Sequence, residues 1–266
     1  MSGKLYIVGT PIGNLEDFSL RGIETLKKVD YILAEDTRVS LKLLNNFDIK
    51  KKLISYYKEK EKNKEEIIIN DLISGKNIAL ISDAGMPIIS DPGAILVRSV
   101  IKNNIKVITI PGPSAGITAF ANSGLLDGKY IFYGFMKNIN ELNEIMYNEF
   151  PTIIYESPNR IKKVLEKISE LDKNRYLIIG RELTKIHEEY YYGTANEIKE
   201  KIIEKGEMVL IIDKSNELYI NKEDVSFKEV YKFYLQKGFS KKDIIKKISL
   251  DYNLPKNEVY KEFTND

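Results

Sequence analysis

The segment Ile78-Ala79-Leu80-Ile81-Ser82-Asp83-Ala84-Gly85-Met86-Pro87-Ile88-Ile89-Ser90-Asp91-Pro92-Gly93 decides the fold class. Its first four residues are continuously apolar, the pattern of a strand covered on both faces. The next twelve place two carboxylates, two glycines and two prolines in one strand-exit loop. Glycine lets backbone approach a ligand closely and proline stiffens the turn, so a loop this constrained reads as a ligand surface. Asp91 is placed to cap a helix beginning at Pro92. Asp83 has no such capping role, and its carboxylate suits sugar hydroxyls or a sulfonium cation.

Similar runs flank this segment. Lys4–Val8, Tyr31–Ala34, Lys106–Ile110, Tyr130–Gly134, Thr152–Tyr155, Tyr176–Ile179 and Met208–Ile212 all have strand character, rich in isoleucine, valine and tyrosine. Between them lie helical spacings. Leu20, Ile23, Leu26 and Val29 follow a Ser19 cap, and Ile161, Val164, Leu165 and Ile168 follow Pro158. The alternation predicts an α/β architecture, with ligands at the strand exits. Pro111-Gly112-Pro113 marks a junction, and Lys214–Ser226 is polar with no core stripe. The expected division is therefore an α/β domain over 1–110, a second over 111–213, and a linker with a small helical appendage over 214–266. In the appendage, helices are expected over Phe227–Leu235, Ser240–Leu250 and Pro255–Phe263, with Gly238 ending the first. The charge-dense stretch Lys50–Glu66 reads as a solvated loop and helix face.

Composition excludes some chemistry and leaves the partner open. The chain has 266 residues, no cysteine and one histidine, His187. Thiolate catalysis, disulfides, iron–sulfur clusters and cysteine or multi-histidine metal sites are excluded, so no metal is expected. A net charge of +2 with 30% charged residues is only weakly basic for a nucleic-acid binder. Gly9, Pro11 and Gly13 break the first apolar stretch too early for a signal peptide or a membrane span, so a cytoplasmic protein is expected.

Three further loops leave predicted strands. Gly9-Thr10-Pro11-Ile12-Gly13-Asn14 lacks the lysine of a phosphate loop and the glycine spacing of a dinucleotide fingerprint. Either a tight turn or a ligand loop fits it. Pro111-Gly112-Pro113-Ser114-Ala115-Gly116 opens a helix whose free N–H groups favour electron-rich atoms. Tyr155-Glu156-Ser157-Pro158-Asn159-Arg160 opens another, with Ser157 a good N-cap.

Taken with Ala34-Glu35-Asp36-Thr37-Arg38 and Arg181-Glu182-Leu183-Thr184-Lys185, these motifs occur in an order and spacing that closely resemble the 16S ribosomal RNA cytidine 2′-O-methyltransferase family, a branch of the tetrapyrrole-methylase superfamily. The resemblance covers the first strand to about Asp213. It implies two α/β domains with S-adenosylmethionine in the cleft between them, a homodimer, and 16S ribosomal RNA, or the small ribosomal subunit, as substrate. For the donor it points to Pro11, Asp83, Gly85, Met86, Ser114, Ala115, Tyr155 and Ser157. Met86 stands where the family usually has threonine, and Asn159 where it usually has histidine.

Methyl transfer to a ribose hydroxyl needs in-line alignment and a base to take the proton. Glu35, Asp36 and Lys185 are the catalytic candidates, and Arg21, Arg38 and Arg160 the RNA-binding ones, with Lys185 also placed to meet phosphate. For each charged residue the competing reading is an ion-pair network bracing the cleft. His187 reads as a surface or structural residue, and Tyr190-Tyr191-Tyr192 as a strand edge, with a base-stacking platform as the open alternative. Lys241, Lys242, Lys246 and Lys247 read as a solvated face or as a grip on the ribosomal subunit. Two rival functions remain at this level: carbon methylation of a corrinoid precursor, and non-catalytic RNA binding.

Overall fold

The structure, a computed structural model, describes residues 2–57, 61–125, 128–215, 227–236, 238–251, 256, 259–260 and 263. The chain forms two compact units, Met1–Asn216 and Glu217–Asp266. The first holds two five-stranded sheets.

In the first sheet, β1 (Lys4–Val8), β2 (Tyr31–Ala34), β3 (Lys52–Ser55), β4 (Ile78–Ile81) and β5 (Lys106–Ile110) lie in the order β3-β2-β4-β1-β5, with every pair parallel. Parallel pairing requires crossovers, here including α1 (Leu20–Lys28), α2 (Thr37–Asn46), α3 (Glu61–Ile73) and α4 (Ala94–Lys102). β2 and β4 are buried at every position because helices cover both faces. Leu33, Leu80, Leu96 and Val100 pack on one face, and Ile32, Ile81, Leu26 and Leu44 on the other.

The second sheet comprises β6 (Ile131–Phe135), β7 (Thr152–Glu156), β8 (Leu177–Arg181), β9 (Glu189–Gly193) and β10 (Met208–Ile212), in the order β6-β7-β10-β8-β9. Only β6 and β7 pair in parallel; the other neighbours are antiparallel. α5 (Ala115–Asn122) packs on β7 and β10. On the opposite face, in one cluster with α6 (Leu142–Ile145) and α8 (Ala195–Lys199), α7 (Pro158–Leu171) buries Ile161, Val164, Leu165 and Ile168 against Ile154, Ile179 and Leu210. Each such side chain contributes about 1.5–3 kcal/mol by leaving water.

The α/β architecture expected from the sequence is the one observed, with three local differences. β3 lies inside the charge-dense stretch read as solvated loop and helix face. It is a half-buried edge strand, so its apolar signal is weak. Leu20, the first residue of the stripe assigned to α1, is exposed, although Ser19 caps the helix by accepting from the Gly22 N–H at 3.0 Å. α4 begins at Ala94 with Gly93, not Asp91, at its N-cap position; Pro87, Ser90 and Pro92 carry the loop further before the helix can start. The tyrosine run forms β9 at the sheet edge, as the strand-edge reading required.

In the second unit, α9 (Phe227–Gln236) and α10 (Lys241–Asp251) enclose Val230, Tyr234, Ile244, Ile245 and Ile248. Gly238 turns the chain at φ +83°, and the Ser240 hydroxyl accepts from the Asp243 N–H at 3.3 Å. Most of the third expected helix, and the polar stretch after Ser215, lie outside the described residues. No helix among the described residues is long and apolar enough to cross a membrane.

Candidate active site

Strand-exit loops of both sheets meet, and small residues make the meeting possible. A Cβ on Gly9 would stand 2.7 Å from the Gly112 Cα and 2.8 Å from its nitrogen; one on Gly112 would stand 2.8 Å from the Gly9 carbonyl carbon. The β1 and β5 exits therefore touch backbone to backbone. Gly13 lies against Leu183 and Lys185 of the β8 exit, so the first loop also abuts the second sheet.

Thr10 is fully buried and joins the β1 exit to the β4 exit. Its N–H donates to the Gly85 carbonyl at 2.9 Å, and the Gly85 N–H donates back at 3.1 Å. Its hydroxyl reaches the carbonyls of Ser82 and Gly85, each at 3.3 Å. Thr10→Val keeps the bulk and removes the hydroxyl contacts, so a loss of about 1 kcal/mol is expected. Thermal unfolding should register it as a fall of about 2–4 °C; an unchanged midpoint would assign the joint to the backbone bridge alone.

The β4-exit loop is held in an uncommon backbone form. Ile88 and Ser90 sit at φ +78° and +73°, a region that a β-branched side chain rarely occupies. Surrounding contacts must over-determine such a geometry, which is characteristic of ligand clamps.

The loops enclose a cavity of about 460 Å³, within the usual range for small-molecule sites. Among the described residues its wall carries five carboxylates, Glu35, Asp83, Asp91, Glu156 and Glu207, and no lysine or arginine. Ile12, Met86, Ile89, Phe135, Tyr155 and Leu183 supply apolar and aromatic surface. Asp83 accepts from the Asp36 N–H at 3.0 Å, a structural role its sequence position did not reveal. Burial pushes its carboxyl up from the ordinary range, against that hydrogen bond, and the Asp36 charge adds to the rise. Glu156 is raised by burial too, opposed by the Ser157 N–H donating at 2.7 Å and by Arg160 at 3.4 Å. Tyr155 accepts from the Gly116 N–H at the start of α5, at 3.2 Å, which fixes its ring on the cavity wall.

Of the donor-site expectations, Asp83, Gly85, Met86, Ser114, Ala115, Tyr155 and Ser157 line the cavity, and Pro11 does not. Ser157 also caps α7, accepting from the Asn159 N–H at 3.3 Å. Of the catalytic candidates, Glu35 alone lines the wall. Asp36 caps α2 and holds Arg38 through contacts of 2.6 and 3.1 Å. Those bonds, from the Arg38 side chain and its N–H, lower the Asp36 carboxyl to about 2. Lys185 donates to Glu182 at 2.8 Å and to Glu207 at 3.0 Å. Burial pulls the ammonium down, but the two carboxylates outweigh it and its pKa is raised.

Arg160 donates to the Met136 carbonyl at 3.1 Å besides pairing with Glu156, so the bracing role is the one its partners fill. Arg38 is clasped by Asp36 yet largely exposed, and Arg21 is exposed on α1. None of these arginines lines the cavity. His187 is exposed; its carbonyl accepts from Arg181 at 3.3 Å.

Several wall residues escaped the sequence reading, notably Phe135, Gly206, Glu207 and Val209. Searching strand exits cannot find the last three. β10 runs antiparallel to β7 and β8, so Met208 at its beginning lies beside Glu156 and Arg181 at their ends.

The family profile described as Tetrapyrrole (Corrin/Porphyrin) Methylases matches residues 4–199. A ribosomal RNA small subunit methyltransferase I from Halalkalibacterium halodurans is 43% identical over 272 residues, covering 97% of this chain and 93% of that protein. Its namesake in Bacillus subtilis is 40% identical over 273 residues, with the same coverage. Among solved structures, diphthine synthase superposes with a TM-score of 0.61 at 15% identity, covering 80% of this chain and 90% of that one. A uroporphyrin-III-C-methyltransferase from Thermus thermophilus gives 0.57 at 15% identity, covering 80% and 94%. Those two likenesses establish the fold, and the profile match with the near-full-length relatives establishes the lineage: the chain belongs to the tetrapyrrole methylases, in the branch of the ribosomal RNA small subunit methyltransferases I.

Proposed function

We propose that this protein uses S-adenosylmethionine to methylate the 2′-hydroxyl of a cytidine in 16S ribosomal RNA, on the small ribosomal subunit. The observation that carries the donor assignment is the acidic lining of the cavity: Glu35, Asp83 and Asp91 stand on it with no lysine or arginine among the described lining residues, while Glu156 and Glu207 are offset by Arg160 and Lys185. Such a wall disfavours phosphate-bearing ligands and favours a ligand carrying ammonium and sulfonium charges. The donor, when bound, supplies an electrophilic methyl carbon and leaves as a neutral thioether. Asp83 and the Ser114–Ala115 turn would hold its polar groups. Apolar side chains around Tyr155 would receive its adenine.

The relatives' names supply the RNA assignment. The acidic wall keeps the phosphate backbone outside, where exposed Arg21 and Arg38 are our candidates for phosphate contacts. Arg160 and Lys185 act instead as braces of the wall. Glu35 is our candidate for taking the hydroxyl proton, because Asp36 is too acidic and Lys185 is held protonated. On the same family resemblance we propose a cytoplasmic homodimer as the working form.

Labelled donor offered to undermethylated small subunits, followed by mapping of the modified ribose, tests the assignment. Donor uptake without a labelled ribose would overturn it. In single-turnover assays Glu35→Gln should slow methylation by about 10²–10⁴-fold. Asp36→Asn should change the rate only a few-fold, since asparagine caps a helix about as well as aspartate. Equal losses in the two variants would remove Glu35 from this role.

A further inference from the structure

β6 contains an irregularity that places an aromatic ring at the mouth of the cavity. Phe132 pairs with Ile153, Gly134 with Ile154 and Phe135 with Tyr155, so Tyr133 is an extra residue relative to β7. Side chains of a regular strand alternate, and residues 132 and 135 would then point to opposite faces. The bulge puts both on the face of Ile153 and Tyr155. Gly134 takes φ +77° to make it. Such bulges re-aim side chains beside functional sites.

The two phenylalanines then diverge. Phe132 packs into the core beside Ile153, 5.2 Å from the Tyr155 ring at 75°. Phe135 meets the same tyrosine at 5.4 Å and 65°, lines the cavity, and remains 63% exposed. An exposed aromatic ring, steadied by a tyrosine that is itself tied to α5, offers a face on which a base can stack.

We infer that Phe135 stacks on the nucleobase of the acceptor nucleotide and so holds the ribose hydroxyl in line with the donor. The inference rests on the RNA-methylation reading above. With phosphates repelled by the acidic wall, the sugar and base are the parts of a nucleotide that can enter. An extruded nucleotide loses its stacking partners, and an aromatic side chain at the pocket mouth replaces them. With the donor's adenine placed against Tyr155, as proposed above, the outer ring would be left to the acceptor.

The test compares Phe135→Ala, Phe135→Leu and Phe135→Trp in the full chain. Undermethylated small subunits serve as substrate, and S-adenosylhomocysteine is the calorimetric probe of the donor site. Loss of a base–aromatic stack of about 1–3 kcal/mol corresponds to about a 5- to 150-fold fall in kcat/KM for the alanine and leucine variants. Tryptophan should restore the rate to within a few-fold of the parent. S-adenosylhomocysteine affinity should fall far less than kcat/KM, and sedimentation should be unchanged in all three.

Leucine performing as well as tryptophan would reduce Phe135 to apolar filler and overturn the inference. A matching loss of S-adenosylhomocysteine affinity would make it a donor contact, and a changed sedimentation coefficient an interface residue; either result overturns it as well. Failure of the unmodified chain to methylate the subunits would instead strike the underlying RNA reading.

Discussion

Gly9→Ala is expected to lower the unfolding midpoint by about 6–12 °C, the equivalent of about 3 kcal/mol of overpacking in a protein of this size. The added methyl would meet the Met86 sulfur at 2.6 Å and the Gly112 Cα at 2.7 Å. Only the first of these neighbours can swing away, because the thioether is flexible and the Gly112 backbone is held by β5 on one side and Pro113 on the other. The β1 and β5 exits must separate, and both border the cavity, so S-adenosylmethionine affinity should fall together with stability. Gly112→Ala should reproduce the effect, since its methyl would meet the Gly9 backbone at 2.8–2.9 Å. Combining Gly9→Ala with Met86→Ala separates the two clashes. A double variant that recovers the parental midpoint would locate the strain at Met86 and refute the backbone-contact explanation.

Asp83→Asn should weaken S-adenosylmethionine binding by about 10- to 150-fold in calorimetry, the range of about 1.5–3 kcal/mol for hydrogen bonds to a charged group. Asparagine keeps an oxygen to accept from the Asp36 N–H, so the joint between the β2 and β4 exits survives while the negative charge is lost. Stability should not fall. Because burial raises this carboxyl in the folded chain, the group favours folding at low pH. That contribution is lost as pH rises through its folded pKa, so at neutral pH its ionisation opposes folding. The midpoint of Asp83→Asn should therefore stay level or rise. In the parent protein, donor affinity should decline on acidification at a higher pH than an ordinary aspartate would cause, and the substitution should abolish that decline. Unaltered affinity in Asp83→Asn would mean that the carboxylate serves only to tie the loops together.

Most of the architecture was legible because it is written in local pattern. Four of the five parallel strands are apolar runs bounded by turn residues, and helix starts such as Ser19 and Ser157 carry their caps in the sequence. Edge strand β3 was not legible, since one exposed position and charged flanks erase the periodicity that marks a strand. The start of α4 was misplaced because a proline after an aspartate resembles a helix opening, whereas the positive φ of Ser90 and Gly93 extends the turn.

The site divides along the same line. The sequence by itself determined which strand-exit loops are constrained, because glycine, proline and capping residues act on their own backbone; the family resemblance pointed to residues in them, of which Asp83, Gly85, Met86, Ser114, Ala115, Tyr155 and Ser157 reach the wall and Pro11 does not. Only the tertiary structure decided what charge that wall carries and which polar groups are spent elsewhere. It withdrew Asp36 into a helix cap, tied Lys185 and Arg160 to carboxylates, and brought in Glu207 through an antiparallel strand. It also turned Phe135 to the cavity through a bulge. Pairing between distant side chains depends on strand direction and register, and neither is a property of any short stretch of sequence.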